Sequence, residues 1–308
     1  MNRVMKKDSI YAMSPDHTPV LKVKAGERVV FETYDCFTNQ IQSSDDSFGT
    51  LNWDRINPAS GPVYIEGAKA GDLLSVTIES IKTADQGVMV TGPGMGLLGD
   101  QLEENKIRMV PIENGMVHLS DSISVPVNKM IGVIGTAPAY EAISCGTPDL
   151  HGGNMDCKEI KEGATLLLPV HVDGALLALG DLHAAMADGE AAVCGVEVAG
   201  EVTVRLDLVK DKRIPAPMII TDTHVMTLSS NEKLDDAAQQ AVVKMAAFLE
   251  RELNFSKEDA ISLVSVAGDL KVCQAVNPKK TARVELPLKY VNDKYDFITL
   301  IRGGKIRS

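Results

Sequence analysis

Apolar side chains recur at every second position over much of this chain. Leu74, Val76 and Ile78 alternate with Ser75, Thr77 and Glu79, and Val202, Val204, Leu206 and Leu208 alternate with Thr203, Arg205 and Asp207. Successive side chains of a strand point to opposite faces, so the pattern predicts strands with one buried and one wet side. Between them lie turn signals, "NPASGP", "GAKAGD", "TGPGMG" and "HGGN". Their spacing suits sandwich or barrel sheets better than strand–helix–strand units. Residues 1–228 are therefore expected to form a mainly β catalytic body.

The period changes in "SSNEKLDDAAQQAVVKMAAFLEREL". Leu234, Ala237, Ala238, Ala241, Val242, Met245, Phe248, Leu249 and Leu253 recur at helical spacing, and Ser229 with Glu232 reads as a capping box. A second, shorter helix is expected to start at Ser256 and stop near Gly268, whose missing side chain suits a C-terminal cap. Strand patterns return in "ARVELPLKYV" and "YDFITLI". The fold class is thus mainly β (α+β): β-sandwich sheets with a helical pair in the C-terminal third. Residues 229–308 are expected to form an α/β subdomain packed on the body.

Composition narrows the function. The 308 residues are 44% apolar and 24% charged, enough for a large core and not the make-up of a disordered chain. A net charge of −11 repels phosphate backbones and anionic lipid, which argues against a nucleic-acid or membrane partner. No apolar stretch approaches the roughly 20 residues that span a bilayer, and no apolar signal segment follows the first basic residues, so a cytoplasmic location is expected. Five cysteines without a CxxC pair read as reduced thiols rather than a disulfide framework or a cysteine-based zinc cluster.

Chemistry concentrates in "GDLHAAMADGE". Asp181 and His183 sit two apart on an expected strand and project side by side, a ready pair of metal ligands. The same spacing also serves an aspartate that merely orients a core histidine. In "HGGNMDCKE", Asn154 and Asp156 are again two apart, after a Gly152–Gly153 pair that allows close backbone approach; a loop there can deliver a carboxylate or simply make a turn. His151 carries the same ambiguity. Glu190 follows a turn dipeptide and is a candidate proton acceptor, with Glu141 a second. Gly94, Gly96 and Gly99 mimic a dinucleotide fingerprint. Pro93, Asp100, Glu103 and Glu104 spoil it, and a loop near an active-site mouth fits better. Cys157, Lys158 and Glu159 are adjacent and cannot all face one substrate, and no G-x-S-x-G elbow supports a serine nucleophile.

With these residues in view, the chain resembles the acetamidase/formamidase family. The likeness runs nearly end to end, through "NPASGPVYIEGAKAGDLL", "MIGVIGTAP", "HGGNMDCKEI", "LPVHVDGALLALGDLHAAMADGE" and "VAGEVTVRLDL". Gly152, Gly153, Asn154 and Asp156 match the family's GGNMD phrase, and Asp181, His183, Ala184, Asp188, Gly189 and Glu190 its GDxHA…DGE phrase. Asp35, in "FETYDCFTNQ", falls where the family has an acid before a loop leading toward the active site. The resemblance implies hydrolysis of small aliphatic amides to acid and ammonia, jelly-roll-like sheets and homo-oligomers.

The expected mechanism is metal-assisted. Asp181, His183 and Asp156, together with Asp35, hold one divalent ion, zinc before calcium or another ion, which brings the pKa of its water to about 7. Glu190 or Glu141 moves the proton, backbone N–H groups of Gly152, Gly153 and Asn154 meet the oxyanion, and a small pocket favours a small amide. The rival expectations are a non-catalytic β-sandwich binding protein for a small amide or carboxylate, its acids holding a structural metal, and a structural oligomer whose Asp and His groups are interface or core residues.

Overall fold

The period-two segments become strands, and their alternation sorts side chains between two stacked sheets. The computed structural model describes residues 1–210 and 214–291. The expected strand in "YDFITLI" lies outside them. Among the described residues, one sheet has nine strands in the order Asn2–Val4, Arg28–Thr33, Gly200–Val209, Leu73–Thr83, Thr165–Pro169, Met218–Ile220, His224–Asn231, Lys280–Pro287 and Asp269–Gln274. The second has eleven strands and is organised about Leu177–His183. Met130–Gly135 pairs with one edge of that strand, while Ala59–Glu66 and then Glu197–Val198 share its other edge. Val76, Ile78, Leu166 and Val204 of the first sheet meet Ile131, Leu179, Leu182 and Val198 of the second in one buried cluster. This is the sandwich the alternation predicts.

The opposite face of the nine-stranded sheet is covered by two helices, α1 (Leu234–Leu253) and α2 (Lys257–Ala267). Leu167, between Leu166 and Leu168, points to this side and packs with Met218, Ile220, Met245 and Phe248. Helix α1 buries Ala237, Ala241, Met245, Phe248, Leu249 and Leu253, the stripe expected from the spacing. Burying Phe248 alone contributes about 1.5–3 kcal/mol. The chain leaves α1 through Asn254 in the left-handed conformation, φ 57°.

The Ser229–Glu232 capping box does not form. Ser229 belongs to the strand His224–Asn231, opposite Ala282, and its hydroxyl donates to Gln240 Oε1 at 3.0 Å. Strand pairing runs on to Asn231, so helix α1 starts only at Leu234, after an extended Lys233 that makes no side-chain cap. Ser256 does cap α2, accepting from the Asp259 N–H at 3.0 Å. Gly268 ends α2 with φ −92°, so close approach rather than a left-handed turn explains the glycine: a Cβ there would lie 2.8 Å from the Val264 carbonyl oxygen. In "ARVELPLKYV" the strand stops at Pro287, and Leu288–Tyr290 turns into a single 3-10 helix. No helix among the described residues is long and apolar enough to cross a membrane.

One buried ion pair fastens the loop after Leu177–His183 to the nine-stranded sheet. Arg283 is fully buried and grips Asp188 with both terminal nitrogens, at 2.6 and 2.9 Å, while its Nε donates to Glu285 at 2.7 Å. Gly189 adds backbone bonds to the strand Asp269–Gln274 and its exit, donating to the Cys273 carbonyl and accepting from Ala275 N–H. Asp188 of the DGE phrase is therefore an anchor, and it sets the position of Glu190. Replacing Arg283 with Ala removes a buried guanidinium from Asp188 and Glu285, which keep Lys158 and Lys271 as partners, and should cost about 2–4 kcal/mol. Urea denaturation measures it, and a loss under 1 kcal/mol would contradict this role.

Candidate active site

The register of the second sheet brings the site together. His183 lies opposite Glu197 across one antiparallel pair and opposite Met130 across the other. Asn154 lies opposite Val133, which carries the "GGNMD" segment to the same end of the sheet. Gly132 sits between, and a Cβ there would fall 2.5 Å from Asp156 Oδ1 and 2.6 Å from Asp181 Oδ2. Only a glycine leaves room for both carboxylates. Asp156, Asp181 and Glu190 all have left-handed backbones, with φ of 42°, 56° and 46°. Such conformations cost of order 1–3 kcal/mol each outside glycine and concentrate at functional sites. At Asp181 this breaks the simple alternation expected from D-x-H.

His183 Nε2 is 3.1 Å from Glu197 Oε1, 3.6 Å from Asp181 Oδ1 and 3.8 Å from Asp156 Oδ1. All four groups are buried. Asn277 Nδ2 donates to Asp156 Oδ2 at 2.6 Å and to the Asn154 carbonyl at 3.0 Å. Yet Asn154 Oδ1, Asp156 Oδ1, Asp181 Oδ1, Glu190 Oε2, Glu197 Oε2 and His183 Nδ1 are buried without hydrogen-bond partners. Polar atoms are rarely orphaned in such number unless a ligand completes them. Ligand atoms of Asp156, His183 and Glu190 lie within 4.8 Å of one another, as do those of Cys36, Asp181 and Glu197. Both sets are consistent with a divalent cation.

The electrostatics agree. Burial first, and then Asp181, push Asp156 up to about 6. Burial pushes Glu197 up to about 8 against the pull of His183. Burial and Asp156 hold Glu190 well above the carboxylate range. Burial alone would lower His183, but Glu197 and Asp181 overcome it and hold the imidazole well above its ordinary value.

Other expected residues fall elsewhere. Asp35 is buried nearby, raised to about 6 chiefly by burial, but its Oδ1 accepts from Phe37 N–H at 3.0 Å and Asn39 N–H at 2.6 Å. It shapes the loop and belongs to neither ligand set. Glu141 is exposed on the segment Pro138–Ile143, outside the cavity wall. Gly152–Asn154 is a buried strand, and Gly152 N–H already donates to the Asp149 carbonyl, so it is not free for an oxyanion. His151 is buried, does not line the cavity, and is lowered to about 4 by burial, hence neutral at pH 7. Cys157 is buried behind Asp156 beside Arg283 and Cys273. Glu197 and Asn277 were not singled out from the sequence. Glu197 had a faint signal, one acid inside the apolar "CGVEVAG"; Asn277, in a plain N-P turn, had none.

The carboxylates of the cluster, though not His183 itself, line the floor of a cavity of about 360 Å³. Phe37, Trp53, Ile56, Val90, Met95 and Val193 make its apolar walls, while Asn154, Asp156, Asp181, Glu190 and Glu197 are its polar end. Met95 brings the "TGPGMG" loop to this wall, with Gly96 packed so tightly on residues 191–193 that a Cβ would lie 2.5 Å from the Ala191 carbonyl oxygen. The cavity is roomier than the small pocket expected from the sequence. A second cavity, about 430 Å³, shares Glu190 and Cys194 with it.

A β-sandwich with an imidazole among buried carboxylates at the foot of a cavity defines a polar, cation-ready type of centre. The chain belongs to the acetamidase/formamidase family, whose model matches residues 6–146 and 139–292. It is similar to the crystal structure of an acetamidase from Bacillus halodurans, 48% identical, covering 94% of this chain and 99% of that one, with a TM-score of 0.93. An acetamidase from Yersinia enterocolitica is 31% identical over 94% of this chain and 92% of its own, TM-score 0.89. A formamidase from Methylophilus methylotrophus is 25% identical, covering 82% of this chain and 81% of that protein. Matches to the curated relatives span 64% to 81% of their own length.

The raised carboxyl groups make a pH prediction. Asp156 and Glu197 titrate near 3.8 and 4.5 when unperturbed but near 6 and 8 in the fold, so between those values the folded chain holds more protons than the unfolded one. His183, raised as well, acts in the same direction. Stability from these groups is present below about pH 4 and is lost as pH rises through 8. With a chelator present, the melting temperature should fall by at least a few degrees between pH 5 and pH 9. A rise across that window would contradict the assigned protonation.

Proposed function

We propose that this protein hydrolyses small aliphatic primary amides to a carboxylic acid and ammonia, with a divalent ion held at the His183 cluster. The observation that carries this reading is one imidazole nitrogen within 3.1–3.8 Å of three carboxylate oxygens at the floor of a cavity. Those separations are near the roughly 3.3 Å between neighbouring ligands of a tetrahedral shell with bonds of about 2.0–2.1 Å. Asp156 and His183 of one set and Asp181 and Glu197 of the other meet at this nitrogen and would hold the ion, and an imidazole among oxygens favours zinc over calcium. When bound, such an ion supplies Lewis acidity, polarising a carbonyl and easing the ionisation of water.

The chain's own residues do the rest. Asn154 Oδ1, buried and unpartnered on the cavity wall, accepts from the substrate N–H₂ and fixes the plane of the amide. Glu190 Oε2, also unpartnered, takes a proton from the attacking water as the new C–O bond forms. It gives that proton to the nitrogen as the C–N bond breaks, because an amide ion is too basic to leave bare. Burial of Glu190 raises its proton affinity toward what both transfers need. Asn277 holds Asp156 in place by donating to its Oδ2.

Ammonia release from acetamide tests the reading. His183→Ala should abolish it with the circular dichroism unchanged, and Glu190→Gln should lower kcat by about 10²–10⁴. Chelation should suppress activity and added divalent ion restore it. Full activity in His183→Ala would refute the ligand assignment. Absence of ammonia release from any amide, with metal bound, would favour the binding-protein reading instead.

A further inference from the structure

Acetamide has four non-hydrogen atoms. At about 30 Å³ for each, the share of one water in the liquid, it occupies roughly 120 Å³. The cavity holds about 360 Å³. An acetamide at the acid floor therefore leaves most of the apolar wall in contact with water, and forfeits the binding energy that wall offers.

The wall is built to stay open. Trp53 is 44% exposed at the rim, in a single 3-10 turn capped by Asn52, whose side chain accepts from Asp54 N–H. Asn52 is held in turn by Gln40, which accepts from its N–H at 2.9 Å and donates to its carbonyl at 3.2 Å. The Phe48 ring stands 5.8 Å from that of Trp53. Phe37, across the cavity lining, is buried and fixed by the hydrogen bond from its N–H to Asp35. Two aromatic rings and Ile56 are thus set in place ahead of any ligand, so little ordering entropy is lost when one binds.

Orientation follows from polarity. The groups that protonate a leaving nitrogen are at the buried end, where the carboxylates of Asp156, Asp181, Glu190 and Glu197 make the lining mostly polar and disfavour an apolar N-substituent. The acyl chain then runs toward the mouth, along Phe37, Trp53 and Ile56. We propose that the preferred substrates are unsubstituted aliphatic amides with an acyl chain of about four to six carbons, and that Trp53 is a specificity-determining residue for chain length. Hexanamide, with eight non-hydrogen atoms, takes up about 240 Å³ on the same scale. This inference rests on the amide-hydrolysis reading above and extends it from chemistry to substrate class.

The test is a chain-length series on the isolated protein, supplied with divalent ion: formamide, acetamide, butanamide and hexanamide by ammonia release, and N-butylacetamide by butylamine release. The expected result is a rise in kcat/KM of about fourfold per methylene, roughly two orders of magnitude from acetamide to hexanamide. Hexanoate should also inhibit more strongly than acetate. Trp53→Ala, with an unchanged melting curve, should lower the hexanamide-to-acetamide ratio of kcat/KM by about tenfold. A flat or falling series overturns the chain-length proposal and leaves amide hydrolysis standing. N-butylacetamide preferred over hexanamide overturns the orientation, and an unchanged ratio in the Trp53 variant overturns the assigned wall. Turnover of none of the amides overturns both readings together.

Discussion

Four buried carboxylates crowd one imidazole, and the interior around them must tolerate that charge. Asp156, Asp181, Glu190 and Glu197 are each 6% exposed or less, and the positive group in contact with three of them is His183. Removing an ion from water costs several kcal/mol even after relaxation, so such a cluster persists only when protons or a cation neutralise it. The raised carboxyls are the first solution and a bound divalent ion is the second. The left-handed backbones at Asp156, Asp181 and Glu190 and the missing side chain at Gly132 are what the crowding demands of the scaffold.

The scaffold meets that demand by placing the cluster where several sheet constraints coincide. Strand Leu177–His183 is paired on both edges, so His183 and Glu197 are held by backbone bonds before any side chain contributes. Glu190 is on a loop, where its own backbone bonds are local ones to Ala187 and Val193. Its position instead depends on Asp188 gripped by Arg283 and on Gly189 bonded across to Cys273 and Ala275. Helices α1 and α2 cover the far face of the nine-stranded sheet, away from the cavity, and their role is to bury that face.

The two ends of the cavity do different work. Its floor is charged, with Asn154, Asp156, Asp181 and Glu190 drawn from the phrases that resemble the family, and in the proposed reading it governs which bond is broken. Its walls come from residues 36–57, 90–95, 144–147, 193–194 and 276–278, segments far apart in the chain. Reaction type and substrate range are thereby separable, since a wall residue can change without disturbing the charge balance beneath it.

Much of the fold was legible along the chain because periodicity is a local property. Alternation at 73–83 and 200–209 and the stripe from Ala237 to Leu253 report strands and a helix, since burial of one face imposes the period. Two-residue spacing and turn position singled out Asp156, Asp181, His183 and Glu190, and the family phrases match them. Local reading failed where a long-range partner decides: strand pairing to Asn231 drew Ser229 out of its capping box, and a turn captured the oxygen of Asp35. Glu197 and Asn277 acquire their places only through sheet register and a loop that returns to Asp156, and the breadth of the cavity arises from segments far apart in sequence. Linear spacing determined which groups have the chemistry; tertiary structure decided which of them meet, because distances between side chains on different strands are set by register and packing that no single segment encodes.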